Sequence, residues 1–338
     1  MSANLDLGST LHFDWWQRGG RWLAQSSLVL VLALFLWLTF FVWPSSDDYG
    51  FAHNYHSHSL VTCQTRVDNI NMAVDFPCHR YYSFDHPIRP ASFFELVLNE
   101  QLTFVGRYFT NPLAFAIQGI LADLAGVFEF HRYYPLISLI MILLFHGSAW
   151  IFARQWGYTA AVWPASHVFW GCLGFLDLYL LHMPHLASSV YQVSQLLMHQ
   201  LCLALSLLLL ASLLHSHRAE GWKKNVMAVL AVVLMVAVMG ASEIILFWNG
   251  AMMFALMLAA TRLRHPRRRF YQGLFLLATV CGSMVVFSPG TLSRIGETTP
   301  YTTSLWHSLS ASFATGIRYQ ATWILSPTLW ALSLFFLP

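Results

Sequence analysis

Two adjacent carboxylates stand where the first long apolar run of the sequence ends. Asp47 and Asp48, in the sequence WPSSDDYGFA, follow that run closely and precede Tyr49. Carboxylates at the edge of a membrane can act as a general base, as metal ligands, or as one of each. The alternative is an N-cap, in which Ser46 or Asp47 satisfies free backbone N–H groups of a short surface helix.

Two arginines could bind a phosphate group. One precedes the weakly apolar segment 108–127, and the other follows the helix-breaking residues Pro289 and Gly290. Arg107 lies in GRYF, and Arg294 ends the sequence SPGTLSR, which follows an apolar run directly. A guanidinium can bind a phosphate through two parallel hydrogen bonds, and free N–H groups of a loop can add to it. Alternatively, each side chain reaches the lipid headgroups and the loop is an ordinary helix stop.

A second group of residues could bind sugar or acceptor hydroxyls. Glu243 lies in GASE, between two apolar runs, and an ionisable residue there indicates function by default. The alternative is a solvated turn. Tyr191 and Gln192, in SVYQ, open another apolar run and could hydrogen-bond a sugar, although for Tyr191 by itself an aromatic belt at the interface is the favoured interpretation.

The histidines and cysteines give no defined site. Five histidines crowd the first long loop without a compact zinc-ligand spacing, so no metal ligand is assigned, and we interpret them as solvated interface residues. Cys63 and Cys78 share that loop and could pair in an oxidising compartment. Ionisable residues inside the apolar runs are expected to make interhelical hydrogen bonds; they are Asp123, His146, His167, Asp177 and His199.

The composition identifies the solvent of this chain. Of its 338 residues, 57% are hydrophobic and only 10% charged, whereas soluble domains carry about 25% charged residues. A mean hydropathy of +0.54 excludes two soluble domains and indicates an integral membrane protein. The net charge of +3 is too small to favour nucleic-acid binding.

The apolar runs predict an all-α, polytopic bundle in a single transmembrane domain of about 8–9 spans, since about 20 apolar residues cross a bilayer. The first run lacks a small-residue cleavage site and is interpreted as an anchor. The loop 44–106 is expected to carry short interfacial helices, such as 91–104. The predicted spans are 23–43, 133–153, 159–181, 195–214, 226–241, 244–260, 270–287 and 320–337.

The basic residues orient these spans. Four clusters can share the cytoplasmic side only if an even number of spans separates neighbouring clusters. That condition holds if the segment 108–127 is re-entrant or interfacial; the competing solution makes it a span and 159–181 the exception. The arginines between 262 and 269 are interpreted as a topology determinant. Loop 44–106, Glu243 and the segment 288–319 then face the extracytoplasmic side.

Four motifs in this order resemble the GT-C glycosyltransferases, and most of all a family of uncharacterised bacterial membrane proteins of that architecture. They are DDY after the first span, GRYF, GASE and SPGTLSR, with SVYQVSQLL similar to the start of a middle span. Ser242 and Thr291 stand where the family pattern often has Asn. Members are usually longer than this chain, which ends at FFLP, so the resemblance predicts a truncated C-terminus.

The resemblance implies inverting transfer of a sugar from a polyprenyl-phosphate donor to a glycan, lipid or protein acceptor. Asp47 or Asp48 would be the base, Arg107 and Arg294 would bind the donor phosphate, and Glu243, Tyr191, Gln192 and Tyr49 would bind the sugar or acceptor. The implied location is the bacterial inner membrane, with the site on its extracytoplasmic face. No cofactor is assigned, and a divalent metal could assist the reaction.

Two other classes remain. A transporter or lipid flippase would place ionisable residues near the bilayer midplane, commonly in two matching halves. The two halves of this sequence do not match, and Asp123, Asp177 and His199 are its obvious polar stepping stones. A structural assembly partner would not need the grouping of Asp48, Glu243 and Arg294.

Overall fold

A computed structural model describes the chain in segments. Met1–Thr291 form one compact unit and Leu292–Pro338 a second, in which the described residues Ala314 and Arg318 are helical. For residues 7–20, 59–66, 73–77, 88–90, 243 and 244 the description is of the main chain. The residues described are 7–41, 59–66, 73–77, 88–90, 94, 98, 107–126, 129–156, 163–181, 193–289, 291, 314 and 318.

Helices make up most of the described part of the chain. Six of them are long and apolar enough to cross a membrane, namely α1, α3 and α5–α8, so this is an integral membrane protein. Short 3-10 turns extend α1 to Phe41 and precede α3. The helices are α1 (Leu7–Leu38), α2 (Thr110–Ala125), α3 (Tyr134–Gln155), α4 (Ala165–Leu181), α5 (Val193–Arg218), α6 (Gly221–Met239), α7 (Glu243–Arg262) and α8 (Arg268–Val286).

Six of the eight predicted spans correspond to these six helices within a few residues. The predicted span 159–181 corresponds to α4, which has only 17 residues because it begins after Pro164. That length is below the roughly 20 residues that cross a bilayer upright. The predicted span 320–337 lies outside the described residues.

Helix α5 is the centre of the bundle. It packs against α3 and α6. About two thirds of the residues in its apolar stretch are buried, whereas only about a tenth of those in the apolar stretch of α1 are. The apolar surface of α1 therefore faces lipid, where an all-apolar helix surface is expected. One core cluster joins α5 to α6, α7 and α8, and another joins α1, α3, α4 and α5.

The segment 108–127 contains α2, which has 16 residues. Its N-terminal end contacts the turn between α6 and α7, and its last residues are joined through Gly126 and Phe130 to the start of α3. Between these ends, α2 packs on the first turns of α5 around Val193 and Leu197. Its contacts therefore lie at the ends of several spans.

Nine of the 18 arginines and lysines collect at one end of the bundle. Arg154 of α3 donates to the carbonyl of Trp163, and Gln155 lies 3.4 Å from His215 near the end of α5. Arg267, in the turn from α7 to α8, donates to the Ser216 hydroxyl at 3.2 Å. We call this end, defined by residues 154, 216–224 and 262–269, the basic end. The turn from α6 to α7 lies at the opposite end.

A small sheet in the first long loop was not predicted. Strand β1 (Ser59–Arg66) pairs antiparallel with β2 (Ala73–Pro77) and with β3 (Ile88–Pro90), in the order β2–β1–β3. The prediction of short helices alone in this loop was therefore incomplete, although Phe94 and Leu98 are helical. The sequence SLVTCQTR of β1 contains β-branched residues that favour strands. Cys63 lies opposite Phe76; Cys78 is outside the described residues.

A buried polar pair joins α5 to α7 inside the bundle. The amide of Asn249, which is fully buried, donates to the Ser206 hydroxyl at 3.0 Å and to the carbonyl of Ile245. We expect Ser206→Ala to lower the free energy of unfolding by about 0.6 kcal/mol, and at most by about 1.7 kcal/mol, the range of interhelical bonds in membranes. Denaturant unfolding in mixed micelles measures this change.

Ser212→Ala is the matched control for this prediction. Ser212 is also buried on α5, but its hydroxyl donates to Leu209 within the same helix. Removing it breaks no interhelical bond, so the unfolding free energy should change less than for Ser206→Ala. Equal losses in the two variants would contradict a role for Asn249 in joining the helices.

Candidate functional site

Two of the eight predicted site residues lie within the part of the chain that the structure describes. Arg107 is described in full, and the main chain of Glu243 forms the first residue of α7. The remaining predicted site residues lie outside the described residues, so their roles stay predictions; they are Asp47, Asp48, Tyr49, Tyr191, Gln192 and Arg294.

Two of the predicted motifs pack directly on each other. The main-chain N–H of Phe109, in GRYF, donates to the carbonyl of Gly240, in GASE, at 3.0 Å. The next residue, Thr110, donates its hydroxyl to the carbonyl of Ala241 at 3.0 Å and is fully buried. Segments about 130 residues apart in sequence thus form one hydrogen-bonded structure at the end opposite the basic end.

Tyr108 occupies a slot that only a glycine leaves open. Its hydroxyl donates to the carbonyl of Val236 at 2.8 Å, and its ring lies across Gly240. A Cβ atom added at Gly240 would stand 2.5 Å from Cζ and 2.6 Å from Cδ2 of the ring. Burial, with a contact to the Cys281 thiol, raises the pKa of Tyr108 far above its usual range. The phenol therefore stays protonated and keeps donating.

Arg107 points toward α5. Its guanidinium donates to the Sδ atom of Met198 at 2.9 Å, and its charge acts on the thiol of Cys202, one turn further along α5. A thioether sulfur is a weak and uncharged acceptor. This contact therefore orients the guanidinium without itself neutralising the positive charge.

Two helices begin beside this arginine. Helix α2 starts at Thr110 and α7 at Glu243, and the hydrogen bonds from Phe109 and Thr110 hold the two starts together. The helix dipole makes both starts positive, although in α2 the N–H of Asn111 already donates to the carbonyl of Arg107 at 3.4 Å and Pro112 has no N–H. Such an end binds anions.

Buried polar atoms at the two helix starts have no hydrogen-bond partner among the described residues. They are Oγ of Ser242, the residue preceding α7, and Oδ1 of Asn111, in the first turn of α2. The two side chains are 1% and 3% exposed. A buried polar atom without a partner is costly. The Ser242 hydroxyl can donate to a phosphate group, whereas Oδ1 of Asn111 is an acceptor and suits a donor such as a sugar hydroxyl.

The SPGT sequence lies at the end of α8. Ser288 is buried; its hydroxyl donates to the carbonyl of Val285 and accepts from the N–H of Thr291 at 3.2 Å. The described residues of this motif form a hydrogen-bonded helix stop; Arg294 lies outside the described residues, so its phosphate role stays a prediction. Helix α8 also approaches the site, because Cys281 contacts Tyr108 and Gly282 lies against Met239.

The sequence did not predict the π-helical turn of α5. Residues Leu196–Leu201 form this turn, which carries Met198 and Gln200, both largely buried. A π turn inserts an extra residue into a helix and is often found at functional sites. The polar pair His199 and Gln200 inside an apolar stretch was the available signal, but apolar periodicity cannot reveal the extra residue.

Comparisons with known proteins give no family assignment. No protein-family model matches the chain, and neither a curated protein nor a solved structure matches it.

The Tyr108 slot predicts opposite effects for two glycine substitutions. Gly240→Ala should lower the free energy of unfolding by about 1–3 kcal/mol, because the added methyl overlaps the Tyr108 ring. Gly250→Ala is the matched control: it lies in α7 with open space around it, and alanine there should stabilise the helix by up to about 1 kcal/mol. Denaturant unfolding in micelles measures both.

A double-mutant cycle tests the cause of the Gly240 effect. With Tyr108→Ala in the background, the overlap disappears, and Gly240→Ala should cost much less than in the wild type. The same loss in both backgrounds would show that Tyr108 is not the group that the methyl displaces.

Proposed function

We propose that this protein is a membrane glycosyltransferase. It would transfer a sugar from a polyprenyl-phosphate donor to an acceptor hydroxyl on the extracytoplasmic face of a bacterial plasma membrane. The observation that carries the proposal is the packing of GRYF on GASE. The four motifs were grouped by their order in the sequence, so a direct contact between two of them supports treating them as parts of one site.

In the proposed reaction, the acceptor oxygen attacks the anomeric carbon from the side opposite the phosphate. The bond from that carbon to the phosphate oxygen breaks, and the configuration inverts. Asp47 or Asp48 takes the proton of the attacking hydroxyl, and the polyprenyl phosphate leaves with the bonding electrons. Negative charge therefore develops on the leaving phosphate, where prearranged donors stabilise a transition state most.

We assign the donors for that phosphate to Arg107, Arg294 and the N-terminal ends of α2 and α7. The half-buried position of Arg107 supports this role, because a charge-assisted hydrogen bond is stronger where water is partly excluded. The hydroxyl of Ser242, which can also donate to the phosphate, lies at the start of α7, and the acceptor Oδ1 of Asn111, at the start of α2, suits a sugar hydroxyl. Glu243, Tyr49, Tyr191 and Gln192 are assigned to the sugar and acceptor hydroxyls.

The acceptor class stays open between a glycan, a lipid and a protein. Within the described segments, no group of three or more His, Cys, Asp or Glu side chains suits a metal ion. The carboxylates Asp47 and Asp48 lie outside those segments, and no step of the proposed reaction is assigned to a metal.

Substitution of the aspartates by asparagine and of Arg107 by glutamine tests the roles assigned to these residues. With purified, reconstituted protein and a polyprenyl-phosphate sugar, Asp47→Asn or Asp48→Asn should lower the transfer rate by about 10²–10⁴-fold through loss of the base. Arg107→Gln should lower it by about 10²–10³-fold through loss of charge stabilisation. Released polyprenyl phosphate and sugar product, separated by chromatography, give the rates.

Arg132→Gln is the control for loss of a cation. Arg132 precedes α3, and its exposed side chain pairs with Glu129 at 2.7 Å. This variant should keep the wild-type rate. Unchanged turnover in both aspartate variants would remove the base assignment, and unchanged turnover in Arg107→Gln would remove the phosphate site.

A transporter or lipid flippase is the second candidate, and one observation favours it. Asp177 of α4 is 2% exposed, and neither of its carboxylate oxygens has a hydrogen-bond partner among the described residues. It lies inside the helix bundle, where ionisable residues often mark a transport path.

Asp177→Asn separates the two candidates. If the protein is a glycosyltransferase, this variant should keep its transfer rate, because Asp177 has no role in the proposed chemistry. In liposomes, a flippase would move the lipid-linked sugar between leaflets without breaking the phosphate–sugar bond, and Asp177→Asn would slow that movement. Movement without bond cleavage would replace the transferase proposal.

A further inference from the structure

Helix α7 ends in a motif that normally contains glycine. The N–H of Arg264 donates to the carbonyl of Thr261 at 3.2 Å, and the N–H of His265 donates to that of Ala260 at 2.8 Å. These two bonds define a Schellman motif, whose left-handed position usually holds glycine. Here that position holds Arg264, with φ of 48°. Because a side chain makes this backbone costly, the cationic side chain itself needs an explanation.

The turn that follows gathers further cations against the end of α5. Arg267 donates to the Ser216 hydroxyl at 3.2 Å, and its N–H donates to Nδ1 of His265 at 3.2 Å. The rings of His265 and His217 lie 5.0 Å apart. We call the set the basic junction; its members are His217, Arg218, Arg264, His265 and Arg267, with Lys223 and Lys224 beside it at the start of α6.

One carboxylate, Glu220, accompanies these cations, and among the described residues it forms no ion pair with them. None of the arginines and lysines of the basic junction forms an ion pair there, and Glu220 is the one acidic residue between 216 and 242. Like charges gathered by the fold repel one another, and a bound anion would offset that repulsion.

The neighbouring apolar side chains indicate which anion. Leu263, between Arg262 and Arg264, is 80% exposed, and Trp222, next to Lys223, is 71% exposed. Tryptophan at the end of a membrane helix sits at headgroup depth, and a leucine exposed at the end of another helix contacts the acyl chains. The cations next to these two residues in sequence therefore lie in the phosphate layer of the membrane, where lipid headgroups outnumber soluble anions.

We propose that the basic junction binds the headgroup phosphate of an anionic phospholipid. Arg264 and Arg267 contact the phosphate, and Trp222 and Leu263 contact the acyl chains. The contact of Arg267 with Ser216 fixes one donor before the lipid arrives. This site is at the end of the bundle opposite the proposed transfer site, and it does not depend on the glycosyltransferase proposal.

Arg264→Gly tests the proposal in a variant that should fold well, because glycine suits the left-handed position. Full-length protein in detergent would be titrated with phosphatidylglycerol, and bound lipid counted by native mass spectrometry. We expect the affinity of Arg264→Gly to be about fivefold lower than that of the wild type, the factor expected for one surface cation. Arg267→Gln should weaken binding at least as much.

Arg132→Gln, at the other end of the bundle, should bind phosphatidylglycerol like the wild type. Phosphatidylcholine should bind much more weakly than phosphatidylglycerol, and inorganic phosphate should not compete at equal concentration. Wild-type affinity in both Arg264→Gly and Arg267→Gln would overturn the proposal. Effective competition by inorganic phosphate would assign the junction to a soluble anion instead.

Discussion

Hydrocarbon solvates neither charge nor free backbone groups, and this constraint decides where a chain with 10% charged residues can place them. Apolar side chains fill the middle of the six long helices, and most charged residues stand at helix ends, in the connections and in the long first loop. Contacts between α3, α5 and the α7–α8 turn bring three basic clusters to one end. The opposite end receives the turn from α6 to α7 and the start of α2. The protein therefore has two chemically different ends.

The opposite end is held together by main-chain bonds that require Gly240. Phe109 and Thr110 reach the carbonyls of Gly240 and Ala241 only because the Tyr108 ring can pass over a residue without a side chain. That docking brings Arg107 beside Met198 and puts the start of α2 next to the start of α7. Because Gly240 has no Cβ atom, the starts of α2 and α7 can be held together next to Arg107.

The sequence predicted the parts of this protein that depend on local hydropathy. The six long helices follow from apolar runs, whereas α4 is shorter than predicted because Pro164 precedes its first turn. The strand Ser59–Arg66 was missed because eight residues of mixed polarity in a long loop carry a weak signal. The resemblance placed the motifs GRYF and GASE in one group. The packing of the Tyr108 ring on Gly240 could not be predicted, because it depends on residues that are distant in sequence.

Arg107 and Arg264 show why residue type alone could not assign the site. Both are arginines beside a helix end, yet Arg107 is half-buried against α5 and Arg264 is exposed in a strained turn. What separates them is a partner 91 residues away, Met198, which lies in a π turn. Salt screens an exposed charge far more than a buried one. Arg107 therefore has the environment for stabilising charge during a reaction, and Arg264 has the environment for exchangeable contacts with headgroups.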